Sequence, residues 1–151
     1  MTEFPSPDEL FARPFFFCGI GGSGMLPLAQ ILKGRGCEIA GSDRSFDQGR
    51  TPEKFATLER QGYALHPQDG SGIKSENQVL VASAAIEDTV PEIQRAGELD
   101  LLRLTRAELN SILFNTSGAG LAVAGTSGKS TVTWMLGWIM HHLGREPTIM
   151  N

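Results

Sequence analysis

Cysteine is scarce in this 151-residue chain, with Cys18 and Cys37 the only two. A disulfide-stapled secreted scaffold needs more, and both thiols stand in short apolar stretches that read as buried strands, so both are expected to be reduced core residues. Long apolar runs are also missing. None approaches the about 20 residues that cross a bilayer, and the N-terminal MTEFPSPDEL is acidic and proline-containing instead of a basic segment leading into an apolar one. No membrane association and a cytoplasmic location are therefore expected. Positive charge is not in surplus either: 13 Lys and Arg stand against 17 Asp and Glu, for a net charge of -4. That excludes broad electrostatic capture of nucleic acid, so any phosphate recognition has to be local.

Glycine is what the chain has in quantity, 18 residues of it, which suggests several turns or loops that let backbone approach a ligand. Residues 1–13 read as a polar arm. The run Phe15-Phe16-Phe17-Cys18 has the continuous apolar character of a strand buried on both faces of a parallel sheet. A glycine cluster follows, and Met25 to Lys33 carries Leu28, Ile31 and Leu32 at helical spacing. Further strands are expected at 38–41, 63–65, 79–82 and 101–104. Helices are expected from Pro52, with Thr51 as N-cap, at 91–97 and at 105–114. This alternation implies an α/β fold, a Rossmann-like doubly wound parallel sheet over residues 14–115. The small, polar stretch Asn115 to Gly120 is the best linker. Residues 116–151 then read as the opening of a second domain, with a strand at 121–124, a glycine loop and a helix striped by Val132, Met135, Leu136, Ile139, Met140 and Leu143. The sequence closes at Asn151 inside what reads as another strand from Pro147, so a longer parent is expected. The apolar helix suggests a homo-oligomer formed through it.

Two loops carry the chemistry. Gly19-x-Gly21-x-x-Gly24 lies between strand and helix, and Asp43 closes the second strand about 20 residues on, as in dinucleotide-binding turns. Such a loop allows close backbone approach to a diphosphate and points a helix N-terminus at it. The second loop is Gly125-Thr126-Ser127-Gly128-Lys129-Ser130-Thr131, where successive N–H groups can cradle phosphates, Lys129 can neutralise them and the Ser130 hydroxyl can ligate Mg²⁺. Val123 stands where the strict phosphate-loop spacing has glycine, so this is a shortened variant. His141 and His142 are adjacent and point in different directions on a helix, which does not make a metal pair, and Trp134 and Trp138 read as packing groups. His66 reads as a loop residue.

FFFCGIGGSGM, the GSD at 41–43, VASAAI at 81–86, TRAEL at 105–109 and AGTSGKST at 124–131 together resemble the Mur ligases of bacterial cell-wall synthesis over about residues 15 to 151. The resemblance implies a UDP-sugar-binding domain holding UDP-N-acetylmuramate or a related UDP-sugar, followed by the start of an ATP-binding domain. It implies that Gly19, Gly21, Gly22, Ser23 and Gly24 face the diphosphate, Asp43 the uridine, and Ser83 and Arg106 the sugar side. It also implies ATP at Gly125 to Thr131, with Lys129 as the catalytic cation and Mg²⁺ on Ser130. The parent would then join L-alanine or a peptide to the sugar through an acyl phosphate, and this stretch alone would be inactive. The chain departs from the family at Ser127, where histidine is usual, at Ser130, where threonine is usual, at Leu26-Pro27, and along Pro67 to Lys74. Two rival readings are a nicotinamide-dependent oxidoreductase, which leaves GTSGKST unexplained, and a non-catalytic nucleotide-sensing module.

Overall fold

A computed structural model describes residues 4–150; Met1 to Glu3 of the expected arm and Asn151 of the expected last strand lie outside them. The chain divides into two compact units, residues 1–116 and 117–151.

The first unit is a five-stranded, all-parallel sheet. Its strands are β1 (Phe15–Cys18), β2 (Ile39–Ser42), β3 (Ala64–His66), β4 (Val79–Ala82) and β5 (Leu102–Thr105), in spatial order β3-β2-β1-β4-β5. β1 and β4 pair at the centre, which is why both are apolar throughout and fully buried. Alternation sends Phe16, Cys18, Leu80 and Ala82 to one face, where they pack with Ile93 and Ala96 of α5 (Pro91–Glu98) and with Ile73 and Leu101. α2 (Leu26–Gly34) and α6 (Arg106–Asn115) pack against each other and bury Leu28, Ala29, Leu32, Leu109 and Leu113. Burying each of these leucines stabilises the fold by about 1.5–3 kcal/mol. The strand order reverses at β1, so the loops leaving β1 and β4 diverge there, the usual place for a ligand in such sheets.

Four local features differ from expectation. The arm is not all coil: α1 (Pro7–Phe11) forms because Ser6 and Glu9 make a reciprocal capping box and Leu10 is wholly buried. A short helix α3 (Arg44–Asp47) follows β2, capped by Asp43. Thr51 does precede α4 (Pro52–Arg60), but its left-handed backbone, φ 48°, makes no side-chain cap, since capping needs an extended N-cap residue. Cys37 lies in the turn before β2, not in the strand, and both cysteines are buried free thiols.

α6 begins with a second capping box: Glu108 N–H donates to Thr105 Oγ1 at 3.2 Å and Thr105 N–H donates to Glu108 Oε2 at 2.7 Å. Thr105→Ala is expected to cost about 1 kcal/mol of stability at neutral pH, read by urea unfolding. Donation from the Thr105 backbone, then from its hydroxyl, holds the Glu108 carboxyl below the usual glutamate range. Its contribution is therefore complete above the unfolded-state value and is lost as pH falls through the lower folded one, so the penalty of Thr105→Ala shrinks in acid.

In the second unit the expected strand at 121–124 does not form, and neither does one at 147–150. A parallel strand requires a ladder partner, and among the described residues of this unit there is no other strand to supply one. Instead Ile149 packs across Gly137 of α7 (Lys129–His142), where an added Cβ would come within 2.1 Å of Ile149 Cδ1. The Trp138 and His142 ring centroids lie 3.9 Å apart, with the rings tilted by 34°. Trp134, Met135, Trp138 and Leu143 are exposed.

Candidate phosphate-binding site at the glycine loop

The loop leaving β1 is shaped by a few bonds. Gly19 adopts φ +79°, a conformation that favours glycine, and the N–H groups of Gly19 and Ile20 both donate to Ser42 O, at 2.8 and 3.0 Å, tying the loop to the end of β2. Gly22 N–H donates to Gly19 O at 2.9 Å. Asp43 bridges two segments: Gly21 N–H donates to its Oδ2 at 2.8 Å and Ser45 N–H to its Oδ1 at 2.8 Å. Gly21 has no room for a side chain, because a Cβ would lie 2.8 Å from Asp43 Oδ2 and 3.1 Å from Phe55 Cζ.

Beyond Gly22 the donors change character. The N–H groups of Ser23 and Gly24 make no hydrogen bond within the described residues, and α2 starts without a side-chain cap. Unpaired N–H groups at a helix N-terminus carry partial positive charge and attract anions. Two cations flank them. The Arg106 side chain, from the first residue of α6, fills the space over Gly24, where a Cβ would come within 2.2 Å of Nη1. On the other side the Lys54 ammonium, from α4, donates to Gly21 O. The arrangement can bind a multiply charged anion through backbone, with a guanidinium and an ammonium beside it.

In the second unit, Gly125 (φ +155°) and Gly128 (φ +75°) bend the loop into α7, which Gly128 precedes without any side-chain cap. Lys129 Nζ donates to Gly125 O at 2.8 Å, so the ammonium lies over the loop. Thr126, Ser127, Ser130 and Thr131 are exposed.

The sequence profile of the Mur ligase family, catalytic domain, matches residues 14–117. The chain belongs to the Mur ligase family. It is 37% identical over 132 residues to the UDP-N-acetylmuramate–L-alanine ligase of Thermobifida fusca, covering 87% of this chain and 26% of that one. With the ligase of the same name from Streptomyces griseus it shares 39% identity over 145 residues, 95% of this chain and 30% of that one. Among solved structures it resembles the UDP-N-acetylmuramate–alanine ligase of Thermotoga maritima, with a TM-score of 0.73 and 27% identity over 87% of this chain and 30% of that one. The murein peptide ligase of Psychrobacter arcticus gives a TM-score of 0.75 and 26% identity over 87% of this chain and 27% of that one. The Mur ligase chain thus spans under a third of the length of these relatives.

The other residues singled out in this Mur ligase chain lie as follows. Ser83 follows β4, exposed, and accepts from Ala85 N–H at 3.3 Å. His66 ends β3 instead of lying in a loop, with its ring tilted 6.1 Å from that of Phe16. Burial, then the charge of Lys74, pushes the imidazole below its ordinary value, against a smaller opposing pull from Asp69. Cys18 lies under α5, its thiol pushed up first by burial and opposed by the Gln68 amide, which donates to Sγ at 3.5 Å. The nearby Glu92 carboxyl group is wholly buried with no hydrogen-bond partner among the described residues. Sequence reasoning missed Lys54 entirely. It meets Gly21 across 33 positions, and no local pattern encodes that contact. The capping role of Asp43 went unread, because the four-residue helix α3 that it caps was not expected.

Proposed function

We propose that residues 14–115 form a UDP-sugar-binding domain and residues 116–151 the opening of an ATP-binding domain, of a ligase that joins L-alanine or a peptide to UDP-N-acetylmuramate. The observation that carries this reading is the pair of unpaired N–H groups at Ser23 and Gly24, at an uncapped helix N-terminus flanked by Lys54 and Arg106. The diphosphate lies against Gly19 to Gly24. Asp43 serves the uridine with lone pairs that its two backbone donors leave unused. Ser83, at the end of β4, and Arg106 serve the sugar side.

At the second loop the donor set suits a nucleotide triphosphate with Mg²⁺: backbone N–H groups, one ammonium and the hard hydroxyl oxygen of Ser130. Gly125 to Thr131 hold the phosphates of ATP, Lys129 neutralises charge there, and Ser130 holds the metal. Mg²⁺ supplies charge neutralisation on the phosphate oxygens. The substrate carboxylate takes the terminal phosphoryl group of ATP as ADP leaves, and an amine then attacks the acyl phosphate, forming the amide with loss of a proton and release of inorganic phosphate. Residues 1–151 alone are proposed to be inactive, because among the described residues one loop and one helix stand for the whole ATP site. Self-association through α7, where Trp134, Met135, Trp138 and Leu143 are exposed, is part of the same proposal. No helix among the described residues is long and apolar enough to cross a membrane.

Isothermal calorimetry on this chain tests the reading against its oxidoreductase rival. UDP and UDP-N-acetylmuramate are expected to bind and NADH not to. Binding of NADH with no response to UDP overturns it.

A further inference from the structure

We infer that Lys54 is a positioning residue of the diphosphate site, which selects one orientation of the Gly21–Gly22 peptide and offsets the charge of Asp43 beside the bound anion. The inference rests on the UDP-sugar reading above.

Glycine-rich loops are the most pliable stretches of backbone, and a peptide flip within one exchanges the directions of a carbonyl and an N–H. Here two successive peptides are fixed at both ends or by a charged group. The peptide joining Ile20 to Gly21 gives its N–H to Asp43 Oδ2 at 2.8 Å. The next, joining Gly21 to Gly22, gives its N–H to Gly19 O at 2.9 Å, and its carbonyl accepts from the Lys54 ammonium. A flip at this peptide would break both bonds. It would also turn the chain that leads into the free N–H groups of Ser23 and Gly24. Lys54 can reach Gly21 because it lies in the first turn of α4, whose Phe55 packs against the same glycine.

Charge gives a second reason. Asp43 is 9% exposed and holds the loop through its carboxylate, so a diphosphate bound at Gly21 to Gly24 meets a neighbouring negative charge. Lys54 is the ammonium on the same glycine, and it offsets that charge where the loop is bound. Arg106 lies over Gly24, at the other end of the loop. Removing Lys54 therefore penalises ligands in proportion to their phosphate charge. Removing a side chain that only holds α4 in place would penalise every ligand alike.

The experiment compares uridine, UMP and UDP on the 151-residue chain and on Lys54→Met, Lys54→Gln and Lys54→Arg, by calorimetry at low and at raised salt, with thermal melts of each variant. Lys54→Met and Lys54→Gln are expected to weaken UDP at least about 10-fold, the scale of a charged hydrogen bond, UMP less and uridine hardly at all. The salt dependence of UDP binding should fall with them, and Lys54→Arg should restore part of both. Unchanged UDP affinity in a folded Lys54→Gln chain overturns the inference while leaving the UDP-sugar reading intact. Equal losses for uridine and UDP likewise overturn it, in favour of a structural role. No UDP binding by the unaltered chain overturns the reading beneath it as well.

Discussion

Gly41→Val is expected to cost about 3 kcal/mol of stability, at the upper end for inserting bulk into a packed core. Gly41 lies in β2 paired with Phe17 of β1. A Cβ there would lie 2.6 Å from Phe17 O, a backbone atom that cannot swing away, and 2.9 Å from Ile20 Cβ. Relief requires β1 and β2 to part, or Ile20 to leave the core, where it is wholly buried. Either movement also disturbs the two donors, Gly19 and Ile20, that tie the glycine loop to Ser42. Urea unfolding of the variant should show a lower midpoint at an unchanged slope, and a loss under about 1 kcal/mol would contradict the packing described here.

In a full-length ligase carrying this segment, Lys129→Met is expected to lower the rate of amine-dependent phosphate release on the order of 1000-fold. The side chain keeps its apolar stem and loses only its ammonium, the one cation among Gly125 to Thr131. Charge placed in advance where the transferred phosphoryl group becomes most negative lowers the barrier without reorganisation. The affinity for the UDP-sugar should stay unchanged, because that ligand is proposed to bind at the other loop. A variant within tenfold of the unaltered enzyme would remove Lys129 from the reaction.

Much of the first unit was legible because burial on both faces leaves an unambiguous signal. Phe15–Cys18 and Val79–Ala82 are apolar without interruption, and both are central strands. Pro52 and Pro91 mark helix starts because proline's missing donor costs nothing there. The glycine loop was legible as a strand-to-helix turn. Of its flanking charges, Arg106 was reached only through the family resemblance of TRAEL and Lys54 not at all, since they meet Gly24 and Gly21 from 82 and 33 positions away through the fold alone. α1 and α3 were passed over, although Ser6 with Glu9 carries the capping-box pattern, because helices of five and four residues bury too little to show periodicity. Residues 121–124 misled for the opposite reason: their pattern suits a buried strand, and a strand forms only beside another.

The glycine loop of the first unit is proposed to receive a diphosphate on the free N–H groups of Ser23 and Gly24. Amide resonances recorded during a UDP titration of the ¹⁵N-labelled chain test it most directly. Ser23 and Gly24 are expected to shift most, with Gly21, Gly22 and the Arg106 guanidinium following, and the shifts to saturate. Saturating shifts confined to other residues, with Ser23 and Gly24 unmoved, would contradict it.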